Sequence, residues 1–336
     1  MHDFQAFQDN VAHSDGKYAR DPAFYISMLV ICVISVLMNC LVLIVILKGK
    51  ARRISIDSYI FNLTVCDILQ AGVVLPMHFK NATERKEGFD AGEVECKLIM
   101  FLPLMTVMAS ISTMVAIAID RCQTIVRNRR LKVQRSLWII AGIWLFSACV
   151  SSPQLYEYNI YDSSKENRTA MIKECGSHGI VKNFQTIYAA CVFLIAYAIP
   201  LVLLLFGYTC IVLYIWKTSL IIRKQQQLEH AINPSGSSNP LSKKKIRVLK
   251  MLITIAVVFV LLWTPYFVIF ALEEIRGEDD TASQGGWLHT VGETMTTLST
   301  ATNPIIYIVF RHDFRQSLAK VICCCEKCNN VVNPLT

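Results

Sequence analysis

Hydrophobic and polar positions alternate along this chain on a scale of tens of residues, not of two or three. Seven near-continuous apolar stretches occur, over 24–47, 59–79, 98–119, 136–153, 187–216, 248–272 and 287–310. A bilayer-crossing helix needs about 20 mainly apolar residues, roughly 17–25. All seven stretches reach that length, although the fourth is short and the seventh is rich in Thr. They are apolar all round, without the polar face of a surface helix. The pattern predicts an all-α membrane protein, a seven-transmembrane helix bundle over 23–310. A shorter pattern follows it: Phe310, Phe314, Leu318 and Val321/Ile322 form an apolar stripe opposite Arg311, Arg315 and Lys320. Residues 311–322 are too short to span and are predicted to lie as an amphipathic eighth helix on the inner membrane surface.

Composition supports this. By length alone, 336 residues suggest about two soluble domains. A chain that is 54% hydrophobic and 17% charged, with mean hydropathy +0.43, is neither disordered nor collagen-like. Membrane lipid is needed to cover so much apolar surface, so a soluble enzyme is disfavoured.

The net charge of +8 is unevenly placed. Lys48, Lys50, Arg52 and Arg53, the run from Arg121 to Arg135, the run from Lys217 to Lys250, and Arg311, Arg315, Lys320 and Lys327 all fall on one side of the spans. Positive loops face the cytosol. Residues 1–22 are therefore predicted to be extracellular and 323–336 to be a cytoplasmic tail, in a multi-pass protein of the plasma membrane. The first 20 residues lack an apolar centre, which argues against a cleaved signal peptide. Two glycosylation sequons, at Asn81 and Asn167, fall on the outer side, whereas one at Asn62 lies within a span and is expected to be silent. Residues 218–246 read as a flexible third cytoplasmic loop, with Gln-Gln-Gln, an Asn-Pro-Ser-Gly-Ser-Ser-Asn-Pro run and candidate kinase sites at Ser235, Ser237, Ser238 and Ser242.

The 13 cysteines are not a disulfide framework. Six lie in spans, and only Cys96 and Cys175 fall on the oxidising side, where they invite one bridge. Cys323, Cys324 and Cys325 have no His partner for a zinc site and suit palmitoylation. Polar groups at membrane depth are costly and face cavities or one another. They include Asn39, Asp67, Ser110, Ser299, Thr300 and Asn303. Asp67 either bridges helices as a neutral acid or belongs to a hydrated cation pocket. Pro76, Pro103, Pro153, Pro200, Pro265 and Pro304 interrupt spans, where each frees a carbonyl and can bend its helix.

One motif in each span, in order, resembles the rhodopsin-like (class A) G-protein-coupled receptors over residues 23–322. These are Asn39; Asn62-Leu-Thr-Val-Cys-Asp67; Cys96 with Asp120-Arg121-Cys122; Trp144; Pro200 with Tyr208; Trp263-Thr264-Pro265; and Asn303-Pro304-Ile-Ile-Tyr307. Four places depart from the family pattern: Cys122 replaces Tyr, Leu262 replaces Cys, 89–92 lacks a Trp, and Lys245 stands where some members carry an acid that pairs with Arg121. That inner lock is expected to be weak here.

The resemblance implies a signalling receptor with no catalytic residues. Cys96–Cys175 would staple the second outer loop. Asp67 with Asn39, Ser110, Ser299 and Asn303 would form a polar core that takes an allosteric sodium ion, the one cofactor implied. Asp120, Arg121, Tyr208, Trp263, Pro265, Asn303, Pro304 and Tyr307 would carry activation to a heterotrimeric G protein, with arrestin and a receptor kinase as further partners. Arrestin recruitment is expected to depend more on 234–240 than on the tail. Nucleic acid is not an expected partner.

Pro103 and Thr297 stand where an amine-binding Asp and a retinal-binding Lys would be, which disfavours both ligands. Alternation in 156–161, a turn at 162–164 and a return over 169–173 predict a β-hairpin in the second outer loop. With the acids Glu273, Glu274, Glu278, Asp279 and Asp280 on the outer face, this points to an extracellular peptide, basic or amidated. Met105, Thr106, Gln185, Trp263, Tyr266, Phe270, Glu273 and Thr297 are the candidate pocket residues, by family position. A lipid or small organic ligand is the alternative. A transporter would want inverted repeats, and an intramembrane enzyme paired acids or a His pair; the chain has neither.

Overall fold

The structure, a computed structural model, describes residues 22–48, 55–84, 92–127, 129, 131–163, 172–177, 182–230, 241–276 and 286–322. Seven long helices make one bundle. They are α1 (Pro22–Lys48), α2 (Ser55–Leu69 continued through Gln70–Val74 and Leu75–Glu84), α3 (Glu93–Val126), α4 (Val133–Ser151), α5 (Lys182–Phe193 continued through Leu194–Ala198 and Ile199–His230), α6 (Leu241–Arg276) and α7 (Gly286–Phe310). A separate helix, α8, covers His312–Ile322. α3 packs on α2, α4 and α5, α6 packs on α7, and α7 returns to α1, so the ring closes.

Prolines shape the helices in two ways. In α2 and α5 a π-helical turn, Gln70–Val74 or Leu194–Ala198, ends two residues before Pro76 or Pro200. The extra residue re-routes the hydrogen bonds that the proline nitrogen cannot make. Pro103, Pro265 and Pro304 are carried inside α3, α6 and α7.

Large apolar side chains face outward, with Trp138 73%, Leu145 69% and Phe206 68% exposed. This inverts a soluble protein's surface and requires lipid. Five helices qualify as spans by length and composition among the described residues, and α6 contributes the apolar stretch Ile253–Ile269. α7 owes its weaker hydropathy to its Thr, Ser and Asn residues, several of which are turned inward: Thr296, Thr297, Thr300 and Asn303 are buried. α4 packs through small residues, burying Ser136, Ser147 and Ser151 with Ile143, as expected where helices associate in lipid without a hydrophobic driving force. The shared core centres on Tyr59, Leu63, Met108, Ile111, Leu204, Ile211 and Met251.

Two boundaries differ from the expectation. The third inner connection is helical wherever it is described, since α5 runs to His230 and α6 begins at Leu241. No Gly or Pro occurs between 208 and 230, and the Leu, Lys, Gln and Glu there extend a helix already nucleated in the span. The outer hairpin is shifted: Pro153–Glu157 forms a helical turn, β1 is Tyr158–Ser163 and β2 is Ile172–Ser177. Asp162 and Ser163, expected in the turn, are paired with Lys173 and Ile172. Pro at the first helical position favours the extra turn, which delays the strand. Residues 1–21, 231–240, Asn167 and Cys323–Cys325 lie outside the described residues.

Candidate functional site

The site is a column of polar side chains that runs through the bundle. At the outer end the hairpin is fixed to α3. Cys96, fully buried in the first turn of α3, is bonded to Cys175 on β2. Cys175 is paired with Ile160 across the hairpin, and both pack against the buried cluster of Cys96 and Ile99. The bridge thus ties the loop to the top of α3. Gly176 leaves room for the Tyr161 ring, since a Cβ there would stand 2.8 Å from it.

In the middle of the bundle, Asn39 joins α1 to α7 by donating to the Thr300 carbonyl at 2.9 Å, with a second bond to the Ser35 carbonyl at 3.0 Å. Asn303 donates to Asp67 Oδ2 at 2.9 Å, joining α7 to α2. Both acid and amide are buried, at 6% and 5% exposure. Beside them is a cavity of about 30 Å³ lined by Asp67, Ser110, Ser299, Thr300 and Asn303, with Trp263 and Phe259 on the α6 side. A water needs at least about 10–15 Å³, so the space admits a water or a small cation. Four of the five residues predicted for the polar core line this cavity; Asn39 is bonded to its wall.

One residue that the sequence did not single out, Gln70, adds to the cavity wall. Gln70 sits at the start of the π-helical turn and accepts the Thr106 hydroxyl at 2.5 Å. Thr106, a candidate pocket residue, lines this cavity together with Trp263. A neighbouring network joins three helices: Asn62 donates to Thr113 at 2.8 Å and accepts Trp144 Nε1 at 2.8 Å. Asn62 is 4% exposed inside the bundle. Its sequon is therefore spent on packing.

Above the cavity, Trp263 meets Tyr266 edge-on at 6.0 Å and Phe267 at 6.2 Å. Tyr197 of α5 stacks on Phe267 at 4.8 Å and shares a 2.6 Å hydrogen bond with Thr264. This aromatic floor couples α5 to α6 just below any outer ligand. Tyr266 is 41% exposed and Met105 is half-buried, whereas Thr297 is fully buried and donates to its own helix. The side chains of Gln185, Phe270, Glu273 and Asn81 lie outside the described residues; their backbones are helical, Asn81 in the last turns of α2. Glu293 was overlooked. It is half-buried in the outer part of α7. It precedes Thr300 by seven residues, so it shares that residue's stripe about 10.5 Å further out.

At the inner end, Asp120 is 1% exposed and accepts Arg121 and, at 3.0 Å, Ser55 Oγ. Tyr208 and Tyr307 are buried. The Tyr307 and Tyr59 hydroxyls have no hydrogen-bond partner among the described residues. A buried donor left unpaired costs about 1–3 kcal/mol, so no hydrogen bond of these hydroxyls to the described residues opposes a re-packing.

A profile of the 7 transmembrane receptor (rhodopsin family) matches residues 38–307. The chain belongs to the rhodopsin family of seven-transmembrane receptors. Curated relatives include the neuropeptide FF receptor 2 of Rattus norvegicus, 25% identical over 300 residues, 86% of this chain and 70% of the relative. The galanin receptor 2b of Danio rerio is 26% identical over 316 residues, 92% of this chain and 78% of the relative. The pyroglutamylated RF-amide peptide receptor of Rattus norvegicus is 25% identical over 317 residues, 90% and 70% respectively. As a member of this family, the protein is a multi-pass membrane receptor.

Proposed function

We propose that this receptor binds an extracellular peptide with a basic or amidated group and passes the binding on to a heterotrimeric G protein at the plasma membrane, its N-terminus outside. The observation that carries the reading is the hairpin fixed to α3 by Cys96–Cys175. It would form a rim at the outer end of the bundle, with a two-stranded ladder against which an extended ligand can lie. The resemblance to receptors named for neuropeptide FF, galanin and RF-amide peptides supports the same ligand class. Glu293 supplies a carboxylate on the inward stripe of α7, where a charge in the low-dielectric interior favours a cationic partner.

The coupling route runs through the column. A ligand on Trp263 and Tyr266 repositions α6 against α7. Asp67 and Asn303 hold α7 to α2, and Arg121, Tyr208 and Tyr307 re-pack at the inner end to admit the Gα subunit. The ligand drives this only by its differential affinity for the two packings. The donor set fits a sodium ion: one carboxylate, two hydroxyls and an amide, all hard oxygen ligands around a cavity of suitable size. Asp67, Ser110, Ser299 and Asn303 would hold it, and its charge would stabilise the ionised acid. α8 would lie on the inner membrane surface, with palmitate at Cys323–Cys325 anchoring its end. Sugars at Asn81 and Asn167, and arrestin recruited by a kinase-modified third inner loop, complete the assignment.

The test is a secreted-peptide library applied to cells expressing the chain, read with sensors for several Gα classes. A basic or amidated peptide that triggers Gα dissociation supports the reading. Activation by lipid extracts alone overturns the ligand class and leaves the receptor.

A further inference from the structure

The inner ends of α2, α3 and α7 are joined by two buried polar links that share one turn of α2. Ser55 reaches Asp120 of α3. Two residues on, Asp57 Oδ1 accepts Arg311 Nη1 at 2.8 Å, with the acid 1% and the arginine 20% exposed. Arg311 is the single residue between α7 and α8. Its amide donates to the Tyr307 carbonyl at 2.9 Å, and its carbonyl accepts the Arg315 amide at 3.0 Å. Arg315 closes the elbow by donating to the carbonyls of Ile308 and Val309, at 3.1 and 2.6 Å. The elbow is therefore internally stiff, and its cation points back at α2.

We propose that Asp57 and Arg311 form a latch that holds the α7–α8 elbow in its resting arrangement and thereby restrains ligand-independent coupling. Both are positioning residues. The inference goes beyond the peptide reading and uses only the signalling part of it.

Three observations carry the latch. The charges sit where helix dipoles favour them, an acid in the first turn of α2 and a cation just past the end of α7. A buried ion pair adds little net stability over an apolar pair, yet separating it strongly penalises the separated state. It therefore discriminates between two arrangements more than it stabilises the fold. Finally, Tyr307, one turn before Arg311, is packed edge-on to Phe314 at 6.5 Å with its hydroxyl unsatisfied among the described residues. That hydroxyl does not hold the inner end of α7, and the ion pair does. Any movement that carries Arg311 off α2 breaks the 2.8 Å ion pair at the buried Asp57, so the resting arrangement is favoured.

The test uses the full chain in cells without ligand, as Asp57→Asn, Arg311→Gln and the double variant, with surface level read by an N-terminal epitope. Two readouts are taken: spontaneous recruitment of a panel of engineered Gα probes, and amide hydrogen exchange over 312–322 in nanodiscs. The latch predicts that each single variant raises recruitment about threefold or more, as coupling changes of this type do. The double variant should add nothing beyond the larger single effect. Exchange over 312–322 should rise in all three. A single variant that fails to reach the surface is replaced by the double, which leaves no orphan charge. Unchanged recruitment and exchange in the double variant overturn the latch, as do additive single effects or loss of the double from the surface. If neither parent nor variants recruit any probe, the signalling reading fails, and the exchange measurement decides the latch alone.

Discussion

The inner two thirds of the bundle and its outer end are built on different terms. Below Trp263, polar groups meet specific partners on other helices: Asn39 on Thr300, Asn303 on Asp67, Trp144 on Asn62, Ser55 on Asp120 and Asp57 on Arg311. Above it, among the described residues, the ties are one covalent bond, one hairpin, aromatic contacts and the Tyr188 hydroxyl donated to the Val150 carbonyl at 2.9 Å, and the charged groups lie towards the rim, as in Lys80–Glu95 at 3.2 Å. A buried polar group without a partner is costly in lipid, so the inner network leaves little freedom to change residue by residue. The outer end has to accept a ligand. Substitutions below Trp263 should therefore change signalling and stability, and those above it should change binding.

The largest effect belongs to the covalent tie. Cys96→Ser should abolish surface ligand binding, because a bridge closing a loop of 79 residues stabilises by about 2–5 kcal/mol. Normal binding in that variant would break the view of the outer end. Next in size, Arg121→Ala should eliminate agonist-driven nucleotide exchange while bound ligand is retained, as measured by exchange and ligand binding on the same membranes. Loss of binding instead would blur the division. Glu293→Gln should weaken a cationic peptide by about tenfold or more, since a charge-assisted bond contributes about 1.5–3 kcal/mol. It should leave an analogue with citrulline in place of arginine nearly unaffected, and equal losses for both peptides would remove the acid from the pocket. Smallest is Trp144→Phe, which strips Asn62 of one partner. It should lower stability by about 1–3 kcal/mol, seen as a lower temperature of thermal inactivation, without altering ligand selectivity.

Legibility in the sequence followed the same division. The spans were readable because lipid demands long apolar runs whatever the packing. Asp67, Asn303 and Arg121 were readable because each sits in a motif at a fixed place in its span. Gln70 was not, since its role depends on the π-helical turn that rotates it towards Thr106. Asp57 and Arg311 are 254 residues apart and belong to no motif. Only the closed ring of helices brings them together. Glu293 was passed over among threonines, where a single acid barely alters the hydropathy. The hairpin was foreseen in kind but misplaced by two residues at its start, because alternation cannot report where a preceding helical turn ends.

The central claim is that the buried polar cluster around Asp67 governs what happens at the inner face. Basal nucleotide exchange on membranes carrying the parent chain or Asp67→Asn, measured in sodium chloride and in an equal concentration of choline chloride, tests it most directly. The account predicts that sodium lowers exchange by the parent and leaves the variant unchanged. An equal response of the two chains to sodium, or no response by the parent, would contradict it.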